Sequence, residues 1–225
     1  MRKITTLIFD LDGTLTFFKI NFMEARREII NHLIEFGIPN GLVSVEQRIM
    51  DMVKIVENYL KTDLKAPDKI RTIKNQIEEI ITKYEMEGAK QTDLKPGARD
   101  LLKNLKTQRC KIGLFTLENR KITNFILEKF AIEPFFGSIV TRDDVINPKP
   151  HPDHLRMVLK QLDVLPQEIL VVGDNPVDLE CAKQIKAISI ALVSERHTRN
   201  ELFKAGADFV VDNLLEINDI LKAMS

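Results

Sequence analysis

Three short apolar runs in this sequence each break off on a polar residue: Leu7-Ile8-Phe9 on Asp10, Ile112-Gly113-Leu114-Phe115 on Thr116, and Ile169-Leu170-Val171-Val172-Gly173 on Asp174. Apolar runs of strand length without polar alternation suit strands buried on both faces, and the segments between them carry helical periodicity. Further runs at residues 138–140, 188–193 and 208–211 continue the alternation. The chain is therefore predicted to be α/β, with a parallel sheet covered by helices on both sides.

Helix signals fill the gaps. Asn21 followed by Glu24 reads as a capping arrangement that opens a helix running to about Gly37, and Ser44 with Gln47, Thr198 with Glu201 and Asn213 with Glu216 repeat that signal. Pro96 and Pro166 lie near other expected helix starts. Between Pro67 and Glu87, apolar residues at Ile70, Ile73, Ile77, Ile80, Ile81 and Tyr84 form a one-sided stripe at helical spacing. Residues 17–90 thus read as purely helical, too long for a simple crossover. They are expected to form an inserted helical subdomain, leaving residues 1–16 and 91–225 as the catalytic core.

Composition narrows the function classes. At 225 residues, with 44% hydrophobic and 29% charged, the chain can bury a core without disulfides. Lys plus Arg and Asp plus Glu number 33 each, so no global field favours nucleic acid or an acidic membrane, and anion handling must be local. Cys110 and Cys181 form no metal spacing and read as buried free thiols, which suits a cytoplasmic protein. No apolar stretch approaches the roughly 20 residues that span a bilayer.

In an open parallel sheet the ligand crevice lies beyond the carboxyl ends of the strands, so Asp10, Thr116 and Asp174 converge if their strands are neighbours. Facing carboxylates repel unless a cation sits between them, and hard oxygen ligands suit Mg²⁺. In Asp10-Leu11-Asp12-Gly13-Thr14, Asp10 is ionised at neutral pH, since a free Asp titrates near about 3.9, and is the candidate nucleophile. Asp12 is placed to protonate a leaving oxygen and later to deprotonate water. Gly13 permits a sharp turn there. Asp174 and Asp178, four apart at the start of a helix, read as a metal ligand and its support. Lys149, within Asn147-Pro148-Lys149-Pro150-His151-Pro152, joins Thr116 as a candidate for binding phosphate oxygens. Any of these motifs alone would be an ordinary turn, cap or solvated lysine. His151 and His154 are expected at the surface of the lysine loop.

Together the four segments resemble the four motifs of the haloacid dehalogenase-like (HAD) hydrolase superfamily, in order, from residue 10 to residue 178. Thr141-Arg142-Asp143-Asp144-Val145 resembles the stretch ahead of the lysine in phosphoglycolate-phosphatase-like members. The resemblance implies a Rossmann-like core with a helical cap inserted after the first motif. It further implies Asp10 as nucleophile and metal ligand, and Asp12 as acid/base that offers its backbone carbonyl to Mg²⁺. Thr116 and Lys149 would bind the phosphoryl group, Asp174 would complete the metal ligands, and Asp178 would support them. True haloacid dehalogenases lack an aspartate matching Asp12, so the implied reaction is phosphoryl transfer. Thr16-Phe17-Phe18-Lys19 stands where many members of that branch have Val-Asp-Ser, and Leu117 follows Thr116 where Asn or Ser is frequent. The substrate is therefore not read from the resemblance beyond a small phosphorylated molecule.

A Mg²⁺-dependent phosphatase acting through an aspartyl-phosphate is the reading these residues favour. A phosphosugar mutase of the same superfamily and a non-catalytic binding protein on the same fold are its alternatives. No nucleic-acid or membrane partner is expected, and the oligomeric state is left open.

Overall fold

The computed structural model describes residues 3–17, 19–61 and 66–224. Six strands form one parallel sheet: β1 (Thr6–Phe9), β2 (Lys111–Phe115), β3 (Ser138–Val140), β4 (Ile169–Gly173), β5 (Ile188–Leu192) and β6 (Phe209–Val211), in the order β3-β2-β1-β4-β5-β6. Each predicted apolar run is a strand. The three that end in Asp10, Thr116 and Asp174 are adjacent, with β1 between β2 and β4.

All four β1 residues are buried, as expected for a strand with helices on both faces. Ile8 packs with Val158 and Leu162 of α6 (Asp153–Leu162) and with Cys181 and Ala182 of α7 (Pro176–Gln184). Gly113 of β2 is an opening in this layer: a Cβ there would lie 2.6 Å from Val158 Cγ1. α4 (Ala98–Thr107) also packs against β2, through a fully buried row of Leu101, Leu102 and Leu105. α5 (Arg120–Lys129) follows β2, α8 (Arg199–Lys204) packs on β6, and α9 (Ile217–Met224) closes the chain.

The chain divides into two compact units, Met1–Phe18 with Thr92–Ser225, and Lys19–Gln91. The second is all helical: α1 (Phe22–Glu35), α2 (Ile49–Leu60) and α3 (Ala66–Gln91) enclose a core of Ile29, Leu33, Met52, Val56, Ile73 and Ile77. Asn21 caps α1 as predicted, its side chain accepting the Glu24 N–H at 3.2 Å, and Gly37 beyond the helix has φ +77°. Within the first unit, Phe17 N–H donates to Asp93 O at 3.0 Å and Lys95 N–H to Leu15 O at 2.9 Å. These bonds join residues 15–17 to residues 93–95.

Two helix signals resolve differently. Ser44 does not start a helix: Gln47 Oε1 accepts the Ser44 N–H at 2.9 Å and Gln47 N–H donates to Ser44 O at 3.2 Å, which closes a turn. Gln47 N–H bonds the Ser44 carbonyl and not the Ser44 hydroxyl, so only half of a capping box forms, and α2 begins at Ile49 behind Arg48. Pro166 opens a single 3₁₀ turn, Pro166–Glu168, that runs straight into β4. Among the described residues no helix is long and apolar enough to cross a membrane.

Candidate active site

The sheet brings five of the six predicted site residues into a buried cluster of direct or bridged contacts. Asp10 follows β1 and is held in line by its N–H bond to Val172 O at 2.9 Å. Thr116 follows β2, with its N–H on Val140 O at 3.0 Å, and is 1% exposed. Asp174 follows β4 and is fully buried. Lys149 comes from the loop between β3 and α6, and Asp178 from the first turn of α7.

Lys149 links the cluster. Its Nζ donates to Asp10 Oδ1 at 2.6 Å and to Asp178 Oδ1 at 2.7 Å, and lies 3.8 Å from the Phe115 ring centroid. Burial acts to lower its pKa, but the carboxylates of Asp10 and Asp178 outweigh it, so the ammonium is held charged well above the ordinary lysine range. A buried cation between two carboxylates is a fixed electrostatic element here, unlike a surface ion pair.

Asp178 uses its two oxygens separately. Oδ1 meets Lys149, while Oδ2 accepts the Asn175 N–H at 3.1 Å, completing a capping box in which Asn175 Oδ1 accepts from Val177 N–H. Gly173 makes room for it, since a Cβ at that residue would lie 2.3 Å from Asp178 Oδ2. Asn175 therefore caps α7, and the Asp174 carboxylate beside it takes no part in that cap.

Carboxylate oxygens of Asp10, Asp174 and Asp178 lie within 4.8 Å of one another. Burial, and then the neighbouring Asp10 charge, push the Asp174 pKa up, with Arg196, a hydrogen bond from Ser194 and Lys95 acting in the opposite direction. Burial also raises Asp178 against the pull of Lys149, and Asp10 and Asp174 add to the rise. Asp174 Oδ2 is buried and has no hydrogen-bond partner among the described residues. A buried, unsatisfied carboxylate oxygen facing two more acids carries a penalty that a hard cation would remove, so these residues fit a divalent metal ion. Asp12 stands apart from this group. Its Oδ1 accepts the Thr16 hydroxyl at 3.0 Å, its Oδ2 is buried, and the residue as a whole is half-buried.

Gly13 is required at its position. Its φ is +89°, and a Cβ there would lie 2.3 Å from Asp174 Oδ2. Gly13→Ala should lower stability by about 1–3 kcal/mol through strain and overpacking. It should also weaken divalent-ion binding, because the Asp174 carboxylate must move. Urea unfolding and calorimetric Mg²⁺ titration of the variant check both parts.

Two buried residues were missed from sequence. Thr14 shares its hydroxyl between Asp10 Oδ2 and Asp174 Oδ1, at 3.4 Å each, and its place in the first motif was the available signal. His154, expected at the surface, is fully buried and bonded to the Lys149 backbone. Its spacing to Val158 and Leu162 on the inner face of α6 would have revealed it. His151 is exposed as expected.

A family model described as haloacid dehalogenase-like hydrolase matches residues 7–192. Pyrophosphatase PpaX of Bacillus cereus (strain B4264) is 29% identical over 227 residues, covering 99% of each chain. The crystal structure of a hydrolase from Pseudomonas syringae superposes with a TM-score of 0.74 at 25% identity, over 98% of this chain and 99% of that one. A predicted phosphoglycolate phosphatase from Haemophilus somnus 129PT gives a TM-score of 0.67 at 20% identity, over 98% and 99%, and shares the fold.

Proposed function

This chain belongs to the haloacid dehalogenase-like hydrolases, and from that premise we propose that it is a phosphatase using Asp10 as nucleophile. Its substrate would be a small phosphorylated metabolite or pyrophosphate. The observation that carries this reading is the flanking of one buried carboxylate by opposite elements. Asp10 has the Lys149 ammonium at 2.6 Å and shares the Thr14 hydroxyl with a second acid, Asp174. A phosphoryl group, which is anionic and needs both a nucleophile and fixed cations, matches that arrangement.

In the first step an Asp10 carboxylate oxygen bonds to phosphorus as the bond to the leaving oxygen breaks, and Asp12 gives that oxygen its proton. In the second, water bonds to phosphorus and the Asp10 acyl-phosphate bond breaks, restoring the carboxylate while Asp12 takes the water's proton. Lys149 and the Thr116 hydroxyl hold the phosphoryl oxygens. Thr116 Oγ1 already accepts the Glu118 N–H at 3.1 Å, which directs its own proton elsewhere. Asp10, Asp174 and the backbone carbonyl of Asp12 are the residues proposed to hold Mg²⁺, with Asp178 supporting them. When bound, the ion would offset the repulsion between the acids and the charge on the transferring group. The helical unit at residues 19–91 is proposed as the cap that shapes substrate choice.

The pyrophosphatase name of a relative matching along its whole length supports testing pyrophosphate first. A panel of pyrophosphate, phosphoglycolate and sugar phosphates, assayed with Mg²⁺ and with chelator, should give phosphate release that depends on the metal for at least one compound. Metal-independent release, or none on any compound, would contradict the reading. An isomerised sugar phosphate without free phosphate would point to a mutase.

A further inference from the structure

His154 is the second residue of α6 and is 0% exposed. Its Nδ1 accepts the Lys149 backbone N–H at 3.2 Å. With that nitrogen an acceptor, the ring's one proton sits on Nε2, which lies 3.2 Å from Val140 O and donates to it. The same carbonyl accepts the Thr116 N–H at 3.0 Å. One line of hydrogen bonds therefore runs from the backbone of Thr116, through Val140 O and the imidazole, to the backbone of Lys149. Its two ends are the residues assigned above to the phosphoryl oxygens. The ring also meets Phe115 edge-on, with centroids 5.8 Å apart at 75°, and Phe115 in turn faces Lys149 Nζ.

We propose that His154 is a positioning residue, which as a neutral Nε2–H imidazole fixes the spacing between Thr116 and Lys149 and so sets where the phosphoryl group sits. This rests on the phosphatase reading of the site. Volume alone does not require a histidine here. An apolar side chain on the face of Val158 and Leu162 would fill the space, but would leave the buried Lys149 N–H without its acceptor. Neutrality is built in: burial, and then the Lys149 charge, hold the ring pKa down to about 4, against the Val140 bond and the Asp144 charge. Protonation would turn the acceptor facing Lys149 N–H into a second donor and break the line.

Two variants and one spectrum test this. His154→Leu removes both bonds and should lower kcat about 10- to 100-fold, because a displacement of about 1 Å in a fixed cation costs that much in the transition state. KM should change far less. His154→Gln, whose amide oxygen accepts and whose NH₂ donates, should recover most of the loss. In the wild-type protein, ¹⁵N NMR of the ring should show the Nε2–H tautomer, unchanged across neutral pH. A Nδ1–H tautomer, a folded His154→Leu protein with wild-type kcat, or a Gln variant no better than Leu would each overturn the positioning role alone. If His154→Leu fails to fold, the Gln variant and the tautomer decide the matter. A wild-type protein with no Mg²⁺-stimulated turnover would overturn the phosphatase reading and this inference with it.

Discussion

Asp10→Asn should lower kcat by about four orders of magnitude or more while the protein stays folded. An amide oxygen is a poor nucleophile toward phosphorus, and the acyl-phosphate route closes with it. Retention of the fold follows from the neighbours. Lys149 keeps Asp178 at 2.7 Å as a charged partner, and Asp174 loses a repelling charge that raises its pKa. The kinetic loss is therefore separable from unfolding by running thermal melts beside steady-state assays. A variant with wild-type turnover would show that Asp10 is not the nucleophile.

Lys149→Met should have the largest effect on stability, lowering it by about 3–5 kcal/mol in metal-free protein. The substitution leaves the buried carboxylates of Asp10 and Asp178 without their shared cation, and they face Asp174 as well. The pH dependence follows from the same geometry. In the metal-free fold Asp174 and Asp178 both titrate above the ordinary carboxylate range, so folding takes up protons. The stabilisation associated with those protons is present below the unfolded-state pKa of about 4 and lost as pH rises through the folded values. Removing Lys149 raises Asp178 further, so the deficit should be smaller in mild acid than at alkaline pH. Mg²⁺ should restore part of it. Urea unfolding at several pH values, with and without Mg²⁺, measures each term; a deficit under about 1 kcal/mol at every pH would contradict the picture of a buried, coupled cluster.

The parts of this fold that were legible in sequence are those fixed by short-range physics. The six apolar runs became the six strands, and burial is complete along the central β1 and β4. The convergence of Asp10, Thr116 and Asp174 was legible as a conditional, awaiting only the adjacency of β2, β1 and β4. What escaped depends on partners distant in the chain. Ser44 has the sequence of a cap, but its hydroxyl makes no capping bond and the segment closes as a turn. His154 looks like a polar loop residue until Lys149 N–H and Val140 O, on different elements, enclose it. The joining of Asp10 to Asp178 through one lysine spans 139 residues on one side and 29 on the other, which no local pattern encodes.

The proposed phosphatase activity requires that phosphorus pass through a covalent bond to Asp10. Acid-quenched turnover mixtures analysed by peptide mass spectrometry test it most directly. One phosphoryl group should appear on the peptide containing Asp10 in the wild-type protein, label that residue, and be absent from Asp10→Asn. Trapping under the same conditions that finds the phosphoryl group on another residue, or an Asp10→Asn protein that still acquires it, would contradict the account.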